Sequence, residues 1–169
     1  ISEHRNTRCN ASLFDISHMG EIVVEGEGAT ELIQKVITND VSCIQNHQAL
    51  YTPICNEEGG ILDDIIVFKF FPEKYILVVN CINTERDYEW IKKFKNNDTN
   101  IGNISEQIAL LAVQGPKSQE IIRDAYGDKC ATLPRFQFTG ITHNRIDLTI
   151  SRTGYTGEDG FEIFVNHLN

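Results

Sequence analysis

Two adjacent aspartates, Asp63 and Asp64, interrupt a run that is otherwise glycine turn and apolar strand: Gly59-Gly60-Ile61-Leu62-Asp63-Asp64-Ile65-Ile66-Val67. Ala49 to Ile54 and Ile61 to Phe70 are rich in strand formers, and Asn56-Glu57-Glu58-Gly59-Gly60 between them is rich in turn formers. The two runs therefore predict a hairpin with the aspartates at the start of its second strand. Successive strand side chains point to opposite faces, so only one aspartate can face solvent, and the other faces an interior or a pocket. A buried carboxylate is costly unless it has a partner or a chemical task. A second stretch, Gly154-Tyr155-Thr156-Gly157-Glu158-Asp159-Gly160-Phe161-Glu162, mixes glycine, tyrosine and acid ahead of the apolar Ile163-Phe164-Val165. Together the two stretches predict a pocket that reads a polar organic ligand.

The remaining elements follow from periodicity. Glu21 to Glu25 reads as a strand, and Leu32, Ile33, Val36 and Ile37 repeat at the helical period. Tyr75 to Val79 is a further strand, and Thr84-Glu85-Arg86-Asp87 approximates a capping box that opens a helix. Ile108 to Val113 is apolar throughout, and Pro116 suits the first turn of a helix from Lys117 to Tyr126, with Gly127 ending it. Arg145 to Ile150 alternates as a strand with one wet face. The expected class is α+β, with mixed sheets and flanking helices. Residues 92–102 are polar and Asn-rich, and two α/β units are expected to meet near 96–102.

At 169 residues the chain can bury a sizeable core. Its formal charge of −9 argues against a nucleic-acid surface, and no stretch reads as a signal peptide or membrane span. The short Lys92-Lys93-Phe94-Lys95 run sits at a helix end, where cations favour the helix dipole. The five cysteines are scattered, odd in number and free of any Cys-x-x-Cys spacing, which indicates neither a disulfide framework nor a zinc site. His4, His18, His47, His143 and His167 form no metal pattern, so no metal is expected. Gly26 and Gly28 precede a helix without the full phosphate-binding fingerprint. The chain begins without methionine and stops just after an apolar strand, as a fragment would.

Seven motifs occur in order: Leu13-Phe14-Asp15-Ile16-Ser17-His18-Met19, Thr38-Asn39-Asp40-Val41, Ala49-Leu50-Tyr51, the double-aspartate hairpin, Val78-Val79-Asn80, Val113-Gln114-Gly115-Pro116 and the Gly154 to Glu158 block. In that order they resemble the aminomethyltransferase family, the T-protein of the glycine cleavage system, over nearly the whole chain. The resemblance implies a folate-binding aminomethyltransferase-like fold, here incomplete, since family members extend beyond both ends. It also implies the reaction: the methylene of an aminomethyl group on a lipoyl-bearing H-protein passes to tetrahydrofolate, with release of ammonia.

Expelling an amine requires proton management, and a nearby carboxylate stabilises the cationic centre that develops. The family's catalytic aspartate maps onto Asp64, with Asp63 left to a structural or solvent-facing place. The resemblance maps the pterin-binding glutamate onto Glu162, whose carboxylate can accept two parallel N–H bonds. It places Tyr51, Tyr155, Asn80 and Met19 around the folate, while His18 is expected to pack. For Glu158 a solvated loop position is as good a reading as a ligand contact. The expected compartment is the cytoplasm of a bacterium or the mitochondrial matrix of a eukaryote. Rival readings are a sister enzyme taking one-carbon units from sarcosine, dimethylglycine or a methylated sulfur compound, and a non-catalytic folate-binding accessory protein. The latter relatives carry a Lys-Gly-Cys-Tyr motif where this chain has Arg152-Thr153-Gly154-Tyr155-Thr156-Gly157.

Overall fold

The computed structural model describes residues 1–166; His167 lies outside them. The elements in chain order are α1 (Ser2–Cys9), β1 (Ser12–Asp15), β2 (Gly20–Glu25), α2 (Ala29–Val36), β3 (Gln48–Cys55), β4 (Ile61–Phe71), β5 (Lys74–Val79), α3 (Thr84–Lys92), β6 (Asn100–Asn103), β7 (Ile108–Gln114), α4 (Ser118–Tyr126), α5 (Asp128–Ala131), β8 (Phe138–His143), β9 (Ile146–Ser151) and β10 (Gly160–Asn166). They form two compact units, one running from His18 to Glu106 and the other joining residues 1–17 to the chain from Gln107 onward. The changeover falls just past 96–102 because Asn100–Asn103 is itself an edge strand of the first unit, paired with Val24 and its neighbours. The first residues join the later unit because β1 pairs with β7, Ser12 opposite Gln114.

In the unit His18 to Glu106, the sheet order is β3-β4-β5-β2-β6 and its pairings are antiparallel. One face carries Ile22, Val24, Ile65, Val67, Leu77 and Val79, covered by Leu32, Ile33 and Val36 of α2 and Ile91 of α3. Each such side chain, removed from water, contributes roughly 1.5–3 kcal/mol. Gly20 lets α3 approach β2: a Cβ there would lie 2.3 Å from Thr84 Oγ1 and 2.7 Å from Val79 Cγ2.

The start of α3 differs from the expected capping box. Asn83 precedes the helix, Thr84 is already helical, and its hydroxyl donates to the carbonyls of Asn80 and Cys81. Asp87 does not return to cap the helix, because it is fully buried.

In the other unit the order is β1-β7-β10-β9-β8, again with antiparallel pairings. Val113, Ile150, Phe161 and Ile163 pack on Ile122 of α4 and on Cys130 and Ala131 of α5. Helix α4 begins at Ser118 with Lys117 as its cap, so Pro116 precedes the helix instead of occupying its first turn. Gly115 has φ +134°, and a Cβ there would lie 2.5 Å from Asn10 O and 2.6 Å from Thr7 O. Gly127 ends α4 at φ +86°, a conformation that favours glycine.

Candidate functional site

The hairpin forms as its composition demands. Asn56 Oδ1 accepts from Glu58 N (3.1 Å) and Gly60 N (2.7 Å), Asn56 N donates to Gly60 O (2.9 Å), and Gly59 takes φ +81°. The turn starts β4 so that Asp63 joins Ile65 and Val67 on the core face, whereas Asp64 joins Ile66 and Phe68 on the other. Asp64 lies opposite Pro53, which is tolerated because β3 is an edge strand.

Asp63, only 4% exposed, is therefore the buried carboxylate. The solvent-facing option for Asp63 is excluded, since the helices cover its face of the sheet. It accepts from Asn80 N (3.0 Å), Asn80 Nδ2 (2.8 Å) and Asn83 Nδ2 (2.7 Å). Burial pushes its carboxyl up, but the hydrogen bonds from Asp87, Asn80 and Asn83 outweigh it and hold it below the usual range.

Asp64 is exposed and held from two sides. Tyr51 Oη donates to Oδ2 at 2.8 Å, and Asn80 Nδ2 reaches Oδ1 at 3.4 Å and the Asp64 carbonyl at 3.2 Å. Tyr51 is 51% exposed, so it is no core tyrosine. Asp64, Tyr51 and Asn80 are thus brought together within one unit. Met19 is half-buried and His18 exposed, immediately ahead of β2.

Glu162 and Tyr155 belong to the other unit. Glu162 sits on β10 in a cross-strand row with Phe14, Ala112 and Ser151, on the face away from Phe161 and Ile163. Thr153 Oγ1 donates to Glu162 Oε2 and lies 2.9 Å from Ser151 Oγ. Burial raises the Glu162 carboxyl, and the Thr153 hydroxyl opposes that shift. Tyr155 is 96% exposed and lines an open groove of about 790 Å³ with Arg8, Leu13, Phe14 and Thr156. Glu158 is an ion-pair partner, its Oε1 2.9 Å from Arg8 Nη1.

The Gly154–Gly160 loop is organised by Gln114, which is 1% exposed. Its Nε2 donates to Thr153 O (3.2 Å) and Phe161 O (3.4 Å), and its Oε1 accepts from Thr156 Oγ1 (3.0 Å). A Cβ on Gly154 or Gly160 would lie 2.0–2.5 Å from this side chain, which explains both glycines. Arg152 closes the loop with Nε and Nη2 on Asp159 at 3.1 and 2.6 Å. Its guanidinium holds the Asp159 carboxyl below the usual range despite partial burial.

Three groups at these sites escaped the sequence reading. Asp87 was legible as an acid four residues before the buried Ile91 on one helix stripe. Asn83 had no distinguishing signal, and Gln114 was noted only as part of a motif. Glu21 alternates with Val23 and Glu25 as a wet strand face would, yet it is fully buried and both its carboxylate oxygens lack hydrogen-bond partners. Burial lifts its carboxyl to about 8. Among the described residues no cluster of His, Cys, Asp or Glu is arranged to hold a metal ion, and no helix is long and apolar enough to cross a membrane.

Comparison with known proteins matches residues 1–169 to the family described as the GCVT N-terminal domain. An aminomethyltransferase of Halothermothrix orenii is 44% identical over 166 residues, covering 98% of this chain and 46% of that protein. One from Thermoanaerobacter pseudethanolicus is 46% identical over 167 residues, covering 98% and 45%. The chain thus spans about half the length of the curated relatives it matches. The crystal structure of glycine cleavage system aminomethyltransferase T from Bartonella henselae superposes with a TM-score of 0.88 at 34% identity, covering 98% of this chain and 44% of that one. A heterotetrameric sarcosine oxidase from Corynebacterium sp. U-96 shares the fold alone, with a TM-score of 0.64 at 10% identity, covering 96% and 81%.

Proposed function

This chain belongs to the GCVT N-terminal domain family, and on that premise we propose that it is part of the tetrahydrofolate-dependent aminomethyltransferase of glycine cleavage. The aminomethyl group arrives on the lipoyl arm of the H-protein. One folate nitrogen bonds to the methylene carbon as its bond to the amine breaks and ammonia departs. A second folate nitrogen bonds to it as the carbon–sulfur bond breaks, and the two folate N–H protons end on the ammonia and the freed lipoyl thiol. The compartment that goes with this reaction is the bacterial cytoplasm or the mitochondrial matrix.

Asp64 is the catalytic carboxylate in this reading. Its negative charge faces the carbon as that carbon becomes iminium-like, and it accepts or returns the proton that accompanies ammonia. The observation that carries the reading is the way Asp64 is held: exposed, with Tyr51 on Oδ2 and Asn80 on Oδ1. A carboxylate fixed from both sides needs no reorganisation when charge develops beside it. Glu162 supplies the pterin-binding carboxylate, with Thr153 occupying Oε2 and fixing its orientation. Tyr51, Asn80, Tyr155 and Met19 are assigned to the folate's surroundings.

The test is turnover of the full-length protein with aminomethyl-loaded H-protein and tetrahydrofolate, measured as ammonia and methylene-folate. Asp64→Asn should lower kcat on the order of 10²–10³-fold, the cost of losing one preorganised electrostatic stabiliser. A variant that keeps more than about a tenth of wild-type turnover overturns the assignment, being far short of that cost.

A further inference from the structure

Behind Asp64, on the opposite face of β4, lies a second carboxyl cluster. Asp63 and Asp87 are 4% and 0% exposed, one from the strand and one from α3, and Asn83, immediately before that helix, donates to Asp63, so the two carboxyls interact out of water. Two ionised carboxylates so placed would repel strongly, so the arrangement calls for one proton between them. The partners decide which oxygen holds it. Asp63 accepts three N–H bonds from Asn80 and Asn83, as a carboxylate does. Asp87 Oδ2 is buried and has no hydrogen-bond partner, which suits a protonated oxygen better than an ionised one.

We propose that Asp63 and Asp87 share one proton, and that this carboxyl pair positions Asp64 by fixing Asn80. Asn80 Nδ2 has two hydrogens. One is directed to Asp63 Oδ1 at 2.8 Å, and the other reaches the Asp64 carbonyl and Oδ1. Locking the first sets the second. Arg86, next to Asp87, donates to the carbonyl of Leu62 and so ties the same helix turn to the start of the aspartate pair. Asp87 is thus a positioning residue for Asp64, and the inference rests on the reading of Asp64 as the reacting carboxylate.

The pair carries a pH dependence. Burial, and then the hydrogen bond and charge of Asp63, raise Asp87 to about 7, against the pull of Arg86. Among the described residues Arg86 is the cation that pairs with Asp87, its Nε 3.5 Å from Oδ1. The amides of Asn80 and Asn83 do not titrate. Strands β2 and β6 contribute Ile22, Val24 and Ile101 to this side of the sheet, and Glu21 points to the other face by strand parity. Below pH about 7 the shared proton is in place. Above it Asp87 ionises, the two charges repel, and the hold on Asn80 and Asp64 loosens.

The experiment uses the full-length protein labelled with ¹³C at aspartate carboxyls, together with its pH–rate profile. One buried carboxyl should titrate near 7 and be absent in Asp87→Asn, and wild-type kcat should fall above that pH. Asp87→Ala should lower kcat on the order of 10²-fold with little change in the folate KM, as expected when a reacting group is misplaced by about an ångström. Asp87→Asn, which still donates to Asp63, should restore most of that loss and remove the alkaline fall. A near-neutral titration that survives in Asp87→Asn, or a wild-type kcat in a folded Asp87→Ala, overturns the proposal. The carboxyl titration is independent of Asp64 chemistry, so a failed Asp64→Asn test with an intact titration would overturn the catalytic reading while leaving the pair in place.

Discussion

Replacing Gln114 by leucine probes the loop that carries Tyr155 and leads into Glu162. The side chain is 1% exposed and its amide donates to the Thr153 and Phe161 carbonyls, while its oxygen accepts from Thr156. Leucine fills a similar volume but leaves both carbonyls unsatisfied. Each abandoned buried group costs about 1–3 kcal/mol, and the 3.4 Å contact to Phe161 belongs at the low end. Added apolar burial returns roughly 1–2 kcal/mol. The net cost is about 2 kcal/mol, which corresponds to a local opening about 30-fold more frequent. Amide exchange at Gly115, whose N–H donates to Asp159 O at 2.8 Å, reports that opening directly. Exchange there should accelerate by about 30-fold, with amides of the other unit unchanged. Acceleration below about 3-fold would refute the argument that Gln114 holds the loop, since it implies less than about 0.7 kcal/mol. Gln114→Glu should be worse at neutral pH, because a carboxylate then faces two carbonyl oxygens, and should recover as acid protonates it.

Two further outcomes follow from packing and charge. Gly20→Ala places a methyl against Thr84 and Val79 and should cost about 1–3 kcal/mol by overpacking; chemical denaturation should show Thr84→Ala recovering part of it in a double-mutant cycle, since Thr84 supplies two of the three clashing atoms. Glu21 has its folded carboxyl raised from 4.5 to about 8, so its contribution to stability is full below 4.5 and is lost as pH rises towards 8. Measured against Glu21→Gln, wild-type stability should decline across that window and level off above it, and a flat difference would show that the carboxyl is not desolvated.

The sequence made the hairpin legible because turn chemistry and strand composition agree there: Asn56 and Gly59 do what those residues do in tight turns. Strand parity showed that one aspartate is buried but not which, because the answer depends on which face α2 and α3 cover, a tertiary fact. The aspartate proposed to react is the exposed one, and the buried one is held by Asn80 and Asn83. Asp87 misled in the opposite direction: Thr-x-x-Asp looked like a local cap, yet its carboxyl is taken by a strand residue 24 positions earlier. β1 and β6, four residues each, were missed because strands that short owe their structure to β7 and β2, not to their own composition. Glu162 is reached through the family resemblance, with which its position on the strand after the glycine loop agrees, whereas its Thr153 contact could not be read from sequence.

The central claim, that Asp64 reacts and that Glu162 binds the folate, is tested most directly by calorimetric titration of a stable reduced folate into wild type, Asp64→Asn and Glu162→Gln. The account predicts saturable binding to wild type, affinity lowered about 10-fold or more in Glu162→Gln through loss of a charged hydrogen-bond acceptor worth roughly 1.5–3 kcal/mol, and affinity little changed in Asp64→Asn, whose role is in the reaction. Equal affinity of Glu162→Gln and wild type, or no binding by the folded full-length protein, would contradict it.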